Sequence, residues 1–258
     1  MMDWTVICAT NDDKVLESCL LKSPDIRHAS DVILERGYSS AAVALNSGLQ
    51  KCKTDLVVCA HQDVYFPAGW TDALRRSLSL ILVSDPNWGV LGVWGVKRSA
   101  VCIGHVYSSG LSKILGQSFE EPVEVESLDE VVLILRRSSG LRFDDGLPGF
   151  HMYGTDICLE ARRQSMRCYA ISAFCIHNSN GYSILPVEYW ESYWLMREKW
   201  KSRLPVVTTC KEINFWCWPL IQSKFARAAS LVRRQQTPGR RVADPARLYD
   251  HLVREGSC

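Results

Sequence analysis

The 258 residues, 47% of them hydrophobic, suffice for one substantial α/β domain, or for one domain with an appendage, and exclude wholesale disorder. A formal net charge of +2 supplies no global field for nucleic acid, and no run approaches the roughly eighteen apolar residues of a membrane-spanning helix. Eleven cysteines without a C-x-x-C pair, several inside apolar runs (Cys8, Cys59, Cys175), read as free thiols in a reducing cytosol. The start, Met1-Met2-Asp3-Trp4, has no signal-peptide pattern, so a cytoplasmic location is expected.

Trp4 to Ala9 reads as a first strand, ending in Thr10-Asn11-Asp12-Asp13, where Asn11 or Asp12 can cap a helix from Lys14 to Lys22. Asp31 to Glu35 is a second strand. Ser39 or Ser40 then caps a small-residue helix, Ala41 to Lys51, with an apolar face of Ala42, Leu45 and Leu49. Leu56 to Ala60 is a buried strand, and Ala68 to Leu82 a helix. Such alternation is the mark of a parallel sheet with right-handed crossovers. Thereafter the pattern loosens: a glycine-punctuated strand over Trp88 to Val96, one or two strands over Val123 to Arg136, a turn at Phe143 to Gly146, a helix from Ile157 to Gln164 and a strand from Tyr169 to Ile176. Beyond Pro186 the chain is rich in tryptophan, with helices expected over 187–201, 212–234 and 245–254. A boundary is placed near 185–205, giving a catalytic domain over 1–190 and a helical, partly basic extension over 191–258.

The most informative stretch is the abrupt end of the third strand in His61-Gln62-Asp63. Polar groups at the carboxyl ends of strands stand where open α/β sheets bind ligands, and His61 and Asp63 alternate, so both can point the same way. Two further clusters lie at the ends of apolar runs: His151-x-Tyr153-x-x-Asp156 and His177-Asn178. Carboxylates with histidine suit a divalent cation, and Asp63 with His177 is the expected ligand pair, His61 a weaker third. The bland readings are a polar turn, packed histidines, and helix capping by Asp156. Asp129 and Glu130 interrupt a strand-like run, where carboxylates are disfavoured, so one of them is expected to face a polar pocket. Phosphate-cradling, dinucleotide and nucleophile-elbow motifs are all missing from the sequence, leaving metal-assisted, carboxylate-based chemistry.

Ala41 to Leu49, with its Asn46-x-Gly48, followed by Lys53 to Val64, resembles family 2 glycosyltransferases, in which such a helix leads into a strand ending in Asp-x-Asp. Here His61 replaces the first aspartate. The His-Gln-Asp-Val form, Gly92-Val93-Trp94-Gly95, Leu128-Asp129-Glu130, Phe143-Asp144 and Gly149-Phe150-His151-x-Tyr153-x-x-Asp156, closed by His177, are similar to a subgroup named after a streptomycin-biosynthesis protein. The resemblance spans about residues 4 to 185. It implies an α/β fold of the A-type glycosyltransferase class, Rossmann-like with a mixed central sheet, here with a helical C-terminal extension. It also implies a nucleoside-diphosphate sugar as donor, bound through Thr10, Asn11, Asn46, His61 and Asp63, and Mn²⁺ or Mg²⁺ held by Asp63 and His177. Asp156 would be the catalytic base of an inverting transfer, and Asp129 or Glu130 would orient the acceptor. The Q-x-x-R-W motif of processive synthases is missing, which implies transfer of a single sugar.

The acceptor class is a glycan, a lipid-linked or a small-molecule hydroxyl, and no nucleic acid is expected. Rival readings are a catalytically silent nucleotide-sugar or glycan-binding module, motivated by the lost aspartate, and a metal-dependent phosphohydrolase or nucleotidyltransferase using the same residues. Phe215-Trp216 through Arg234 reads either as a packed helix or as an interfacial one in peripheral contact with a membrane.

Overall fold

The computed structural model describes residues 3–180, 185–216 and 241–256. The chain opens as β1 (Trp4–Thr10), α1 (Asp13–Ser18), β2 (Asp31–Arg36), α2 (Ala41–Lys51), β3 (Leu56–Ala60), β4 (Val64–Tyr65) and α3 (Trp70–Ser84). It continues through β5 (Val90–Gly92), β6 (Trp94–Val96), β7 (Cys102–Ser108), β8 (Lys113–Gly116), β9 (Val123–Val125), β10 (Ser127–Leu128) and β11 (Val132–Arg136). Next come α4 (Tyr153–Arg163), β12 (Cys168–Ala170), β13 (Cys175–His177), α5 (Val187–Lys199) and α6 (Pro245–Arg254).

The strands form two mixed sheets. The larger has the order β2-β1-β3-β11-β5-β12-β9, with β1 parallel to β2 and β3 and with β11 antiparallel to both neighbours. The smaller has the order β10-β6-β7-β13-β4, with β8 added on β7. The chain passes between the sheets repeatedly and tightly. It crosses at 61–63 between β3 and β4, at Val93 between β5 and β6, at Glu126 between β9 and β10, at 129–131 between β10 and β11, and at 171–174 between β12 and β13.

Helices cover both faces of the larger sheet because its strands are apolar on both. Ile7, Val57 and Cys59 face α2, α4 and α5 in one layer, while Val6, Cys8, Val58 and Ala60 face α1 and α3 in the other, the period of two expected of a strand. Gly48 is what lets α2 sit so close: a Cβ there would stand 2.3 Å from Ile7 Cγ2. The nine described cysteines are free, and burial, with Asp63 nearby, pushes the Cys8 thiol up to about 12.

The opening strands, α2, α3 and α6 stand within two residues of where the sequence put them, whereas α1 ends at Ser18, four residues short of Lys22. The strand expected over Trp88–Val96 is two strands in different sheets, and the segment over 123–136 is three. The β7–β8 hairpin carried no recognisable alternation. The α4 helix starts at Tyr153, earlier than expected, on a left-handed Met152 (φ 68°), so Asp156 lies in the first turn and is not its cap. The boundary at residue 190 falls inside α5, whose Tyr189, Tyr193 and Met196 join the first apolar layer. Of the helix expected over 212–234, residues 212–216 are irregular and 217–234 lie outside the described residues. No described helix is long and apolar enough to cross a membrane.

Candidate active site

The crossovers between the sheets build the site. A crossing peptide leaves the ladder of one sheet before entering the next, so its side chains are free to be polar without breaking strand pairing. Three features converge on one cavity of about 760 Å³: the 61–63 crossover, the 129–131 crossover and the end of β13 at His177. The two crossovers are joined directly, since His61 N donates to Val131 O (3.1 Å), and Asn178 N donates to Asp63 O (2.8 Å).

His61, Asp63 and His177 each present a ligand atom within 4.8 Å of the others. His177 Nε2 lies 3.4 Å from Asp63 Oδ1, and the two imidazoles meet edge to face at 5.6 Å. His61 Nε2 lies 2.8 Å from the Tyr153 hydroxyl, which fixes its ring. Burial drives the His61 imidazole down to about 4, so it is neutral, the form that binds metals. Burial opposes the charge on Asp63, but His177, His61 and Arg241 outweigh it and hold the carboxyl well below its usual range. Two neutral-capable imidazoles and a carboxylate are a donor set that suits Mn²⁺ better than Mg²⁺.

Gln62, between the two ligands, ties this centre to the end of β1. Its Oε1 accepts from Thr10 Oγ1 (2.7 Å), Asn11 N (3.0 Å) and Asp12 N (3.1 Å), and its Nε2 donates to Asn11 Oδ1 (2.8 Å). Asp12 in turn caps α1 through Lys14 N and Val15 N. Asn11 and Asp12 line the cavity, whereas the Thr10 side chain is buried behind Gln62.

Other expectations need correction. Asn46 is not at the cavity. Its amide donates to Phe143 O (2.8 Å) and Asp145 Oδ1 (2.7 Å) and accepts from Phe143 N, stapling α2 to the 143–145 turn. Asp156 is also absent from the cavity lining, and its side chain points to α5, where Trp200 Nε1 donates to Oδ1 (2.7 Å) and Lys199 Nζ to Oδ2 (2.9 Å). It is 1% exposed, so no acceptor hydroxyl can reach it as arranged. Thr155, one residue earlier, does line the cavity.

Asp129 and Glu130 both line it, where the strand-like run suggested one of them. Asp129 is engaged by Thr209 Oγ1 (3.0 Å) and Val131 N (3.2 Å). Arg241 is a residue that sequence reasoning missed. Its Nη2 lies 3.4 Å from Asp63 Oδ2 and its Nε donates to Asn178 O (2.8 Å), while Val242 exchanges backbone bonds with the Asn178 side chain. In sequence it was one arginine of a basic stretch, and nothing local distinguished it.

A family model described as "Glycosyltransferase like family" matches residues 5–194, most of the chain. A curated relative, "ATP synthase subunits region ORF 6" of Fuscovulum blasticum, is 32% identical over 139 residues, 50% of this chain and 53% of that one. Among solved structures, GalNAc-T7 with UDP, GalNAc and Mn²⁺ superposes at a TM-score of 0.54 with 10% identity, covering 79% of this chain and 49% of that one. Staphylococcus aureus TarS 1–349 with UDP-GlcNAc is similar at a TM-score of 0.49, 13% identity, covering 77% and 65%. The chain thus spans about half the length of the first relatives it matches, and it shares the A-type glycosyltransferase fold.

Proposed function

Since the chain belongs to this glycosyltransferase-like family, we propose that it transfers a single sugar, with inversion, from a nucleoside-diphosphate donor to an acceptor hydroxyl, assisted by a divalent cation. The observation that carries the reading is the His61-Asp63-His177 cluster, set on the seam of the two sheets and opening on a cavity of ligand size. The similar fold of GalNAc-T7, solved with UDP, GalNAc and Mn²⁺, supports it by analogy.

His61, Asp63 and His177 would hold the cation, which when bound neutralises charge on the diphosphate leaving group. Asn11 and Asp12, braced by Gln62, form the wall against which the nucleoside lies. Arg241 supplies a second positive charge beside Asp63, suited to the phosphate oxygens by its planar fork. His151, Tyr189 and Thr208 line further cavity wall and offer hydrogen-bonding groups to an acceptor.

The test is release of nucleoside diphosphate from UDP-GlcNAc, UDP-GalNAc and GDP-mannose with Mn²⁺, comparing the full chain with Asp63→Ala. Turnover by the wild type and its loss in the variant is expected, and equal turnover by both would sink the assignment. The displacement of Asp156 from the cavity favours a second reading, a silent nucleotide-sugar binder. A melting shift with UDP and Mn²⁺ but no turnover of any donor would establish that reading instead.

A further inference from the structure

Burial of Asp156 leaves the reaction without the base that the motif suggested, and the cavity holds another candidate. Glu130 sits on the 129–131 crossover, facing the same cavity as Asp63 and His177. Its Oε1 accepts from Gly154 N (3.3 Å) in the first turn of α4. Gly154 has no side chain and no room for one: a Cβ would come within 2.6 Å of Leu128 O and 3.3 Å of Glu130 Cγ. The Leu128 carbonyl and the glutamate together therefore close the space that a side chain at position 154 would enter.

The remaining carboxylates lining the cavity are committed elsewhere or lie in water. Asp63 is paired with His177 and Arg241, Asp129 is held by Thr209, Asp12 caps α1, and Glu188 is exposed at the start of α5. Among the described residues Glu130 has no ion-pair partner, only the backbone donors that orient it.

We propose that Glu130 is the general base of the transfer, resting on the transferase reading above. A Glu130 carboxylate oxygen takes the acceptor hydroxyl's proton as that oxygen bonds to the anomeric carbon. The bond from the anomeric carbon to the phosphate oxygen breaks, and its electron pair leaves on the nucleoside diphosphate. Burial first, and then the neighbouring charge of Asp129, push this carboxyl up to about 8, where a group can both accept and return a proton near neutrality. The titratable groups facing it are Asp129 on its own crossover, Tyr153 from α4, Tyr189 from α5 and Cys210 from the loop after α5.

The experiment measures kcat/KM against pH for the full chain, Glu130→Gln and Glu130→Asp, with Mn²⁺ and whichever of UDP-GlcNAc, UDP-GalNAc or GDP-mannose the wild type consumes. Kd for UDP with Mn²⁺ is measured in parallel by calorimetry. We expect Glu130→Gln to lose on the order of 100- to 10,000-fold in turnover with Kd within about threefold of wild type. Glu130→Asp should recover part of the loss. The wild-type rate should climb with pH below about 8, and Gln should abolish that limb. Sodium azide, a nucleophile that gives up no proton, should restore donor consumption to the Gln variant as a glycosyl azide. Turnover of Glu130→Gln within tenfold of wild type, or an unchanged acid limb, overturns the assignment while leaving the transferase reading intact. A wild type that consumes no donor overturns both.

Discussion

Replacing Asp156 separates a structural carboxylate from a catalytic one. In Asp156→Ala, Trp200 Nε1 loses its acceptor at 2.7 Å and Lys199 loses one of its two carboxylates, keeping Asp144 at 2.6 Å. Breaking a buried pair costs about 3–5 kcal/mol, and the lower end applies because a third of the Lys199 side chain is exposed and Asp144 remains. A loss of about 3 kcal/mol corresponds to roughly 6–12 °C in Tm for a chain of this size. Asp156→Asn should cost far less, about 1 kcal/mol. It retains an acceptor for Trp200, and burial outweighs the Lys199 attraction in raising this carboxyl, so the charge itself adds little. Thermal melts and urea midpoints, read beside nucleoside diphosphate release at 25 °C, make the comparison. An Asn variant that melts with the wild type but turns over a hundredfold more slowly would refute the argument and return Asp156 to the chemistry.

Three other outcomes follow from the same geometry. Saturating Mn²⁺, at about a hundred times its Kd, should stabilise the wild type by about 2.7 kcal/mol in thermal melts and leave Asp63→Ala unmoved; an equal shift in both would place the cation elsewhere. Arg241→Gln should weaken UDP binding about tenfold in calorimetry while shifting Tm by no more than a degree or two, because the guanidinium is partly exposed; unaltered affinity would remove it from the diphosphate site. Glu130 carries its proton in the folded state up to about 8, against 4.5 when free, so its contribution to stability is fully present below 4.5 and is lost as pH rises through 8. The loss is at most about 5 kcal/mol and smaller where the cavity admits water. Melts from pH 5 to 9 should therefore fall more steeply for wild type than for Glu130→Gln, and parallel curves would contradict the burial of this group.

The parts of the site legible in sequence were those that end regular elements. Leu56 to Ala60 announces a buried strand, so the polar triplet after it stands out, and His177 ends another such run. Gln62 stood in plain view but its partners did not, because a clamp on Thr10, Asn11 and Asp12 is made across some fifty residues of chain. For Asp156 the motif fixes a place in α4 and leaves open which way the side chain points; the tryptophan that engages it comes from the end of α5. Arg241 is brought to Asp63 from 178 residues away, a distance no local pattern encodes. The fold shows the same division: the βα units of the first third are set by local periodicity, whereas the breaks at Val93 and Glu126 depend on which sheet each short strand joins.

The peptide that carries both His61 and Asp63 is anchored by its middle side chain to the loop on which a nucleoside would rest. The metal-ligating segment and the nucleoside-facing loop are thus held by the hydrogen bonds of one shared side chain. Whatever factor a nucleotide adds to cation affinity, the cation must add to nucleotide affinity, since the two lie on one thermodynamic cycle. Cutting the Gln62 side chain back to alanine would remove the share of that coupling carried by the clamp and leave the share carried by contact between cation and diphosphate.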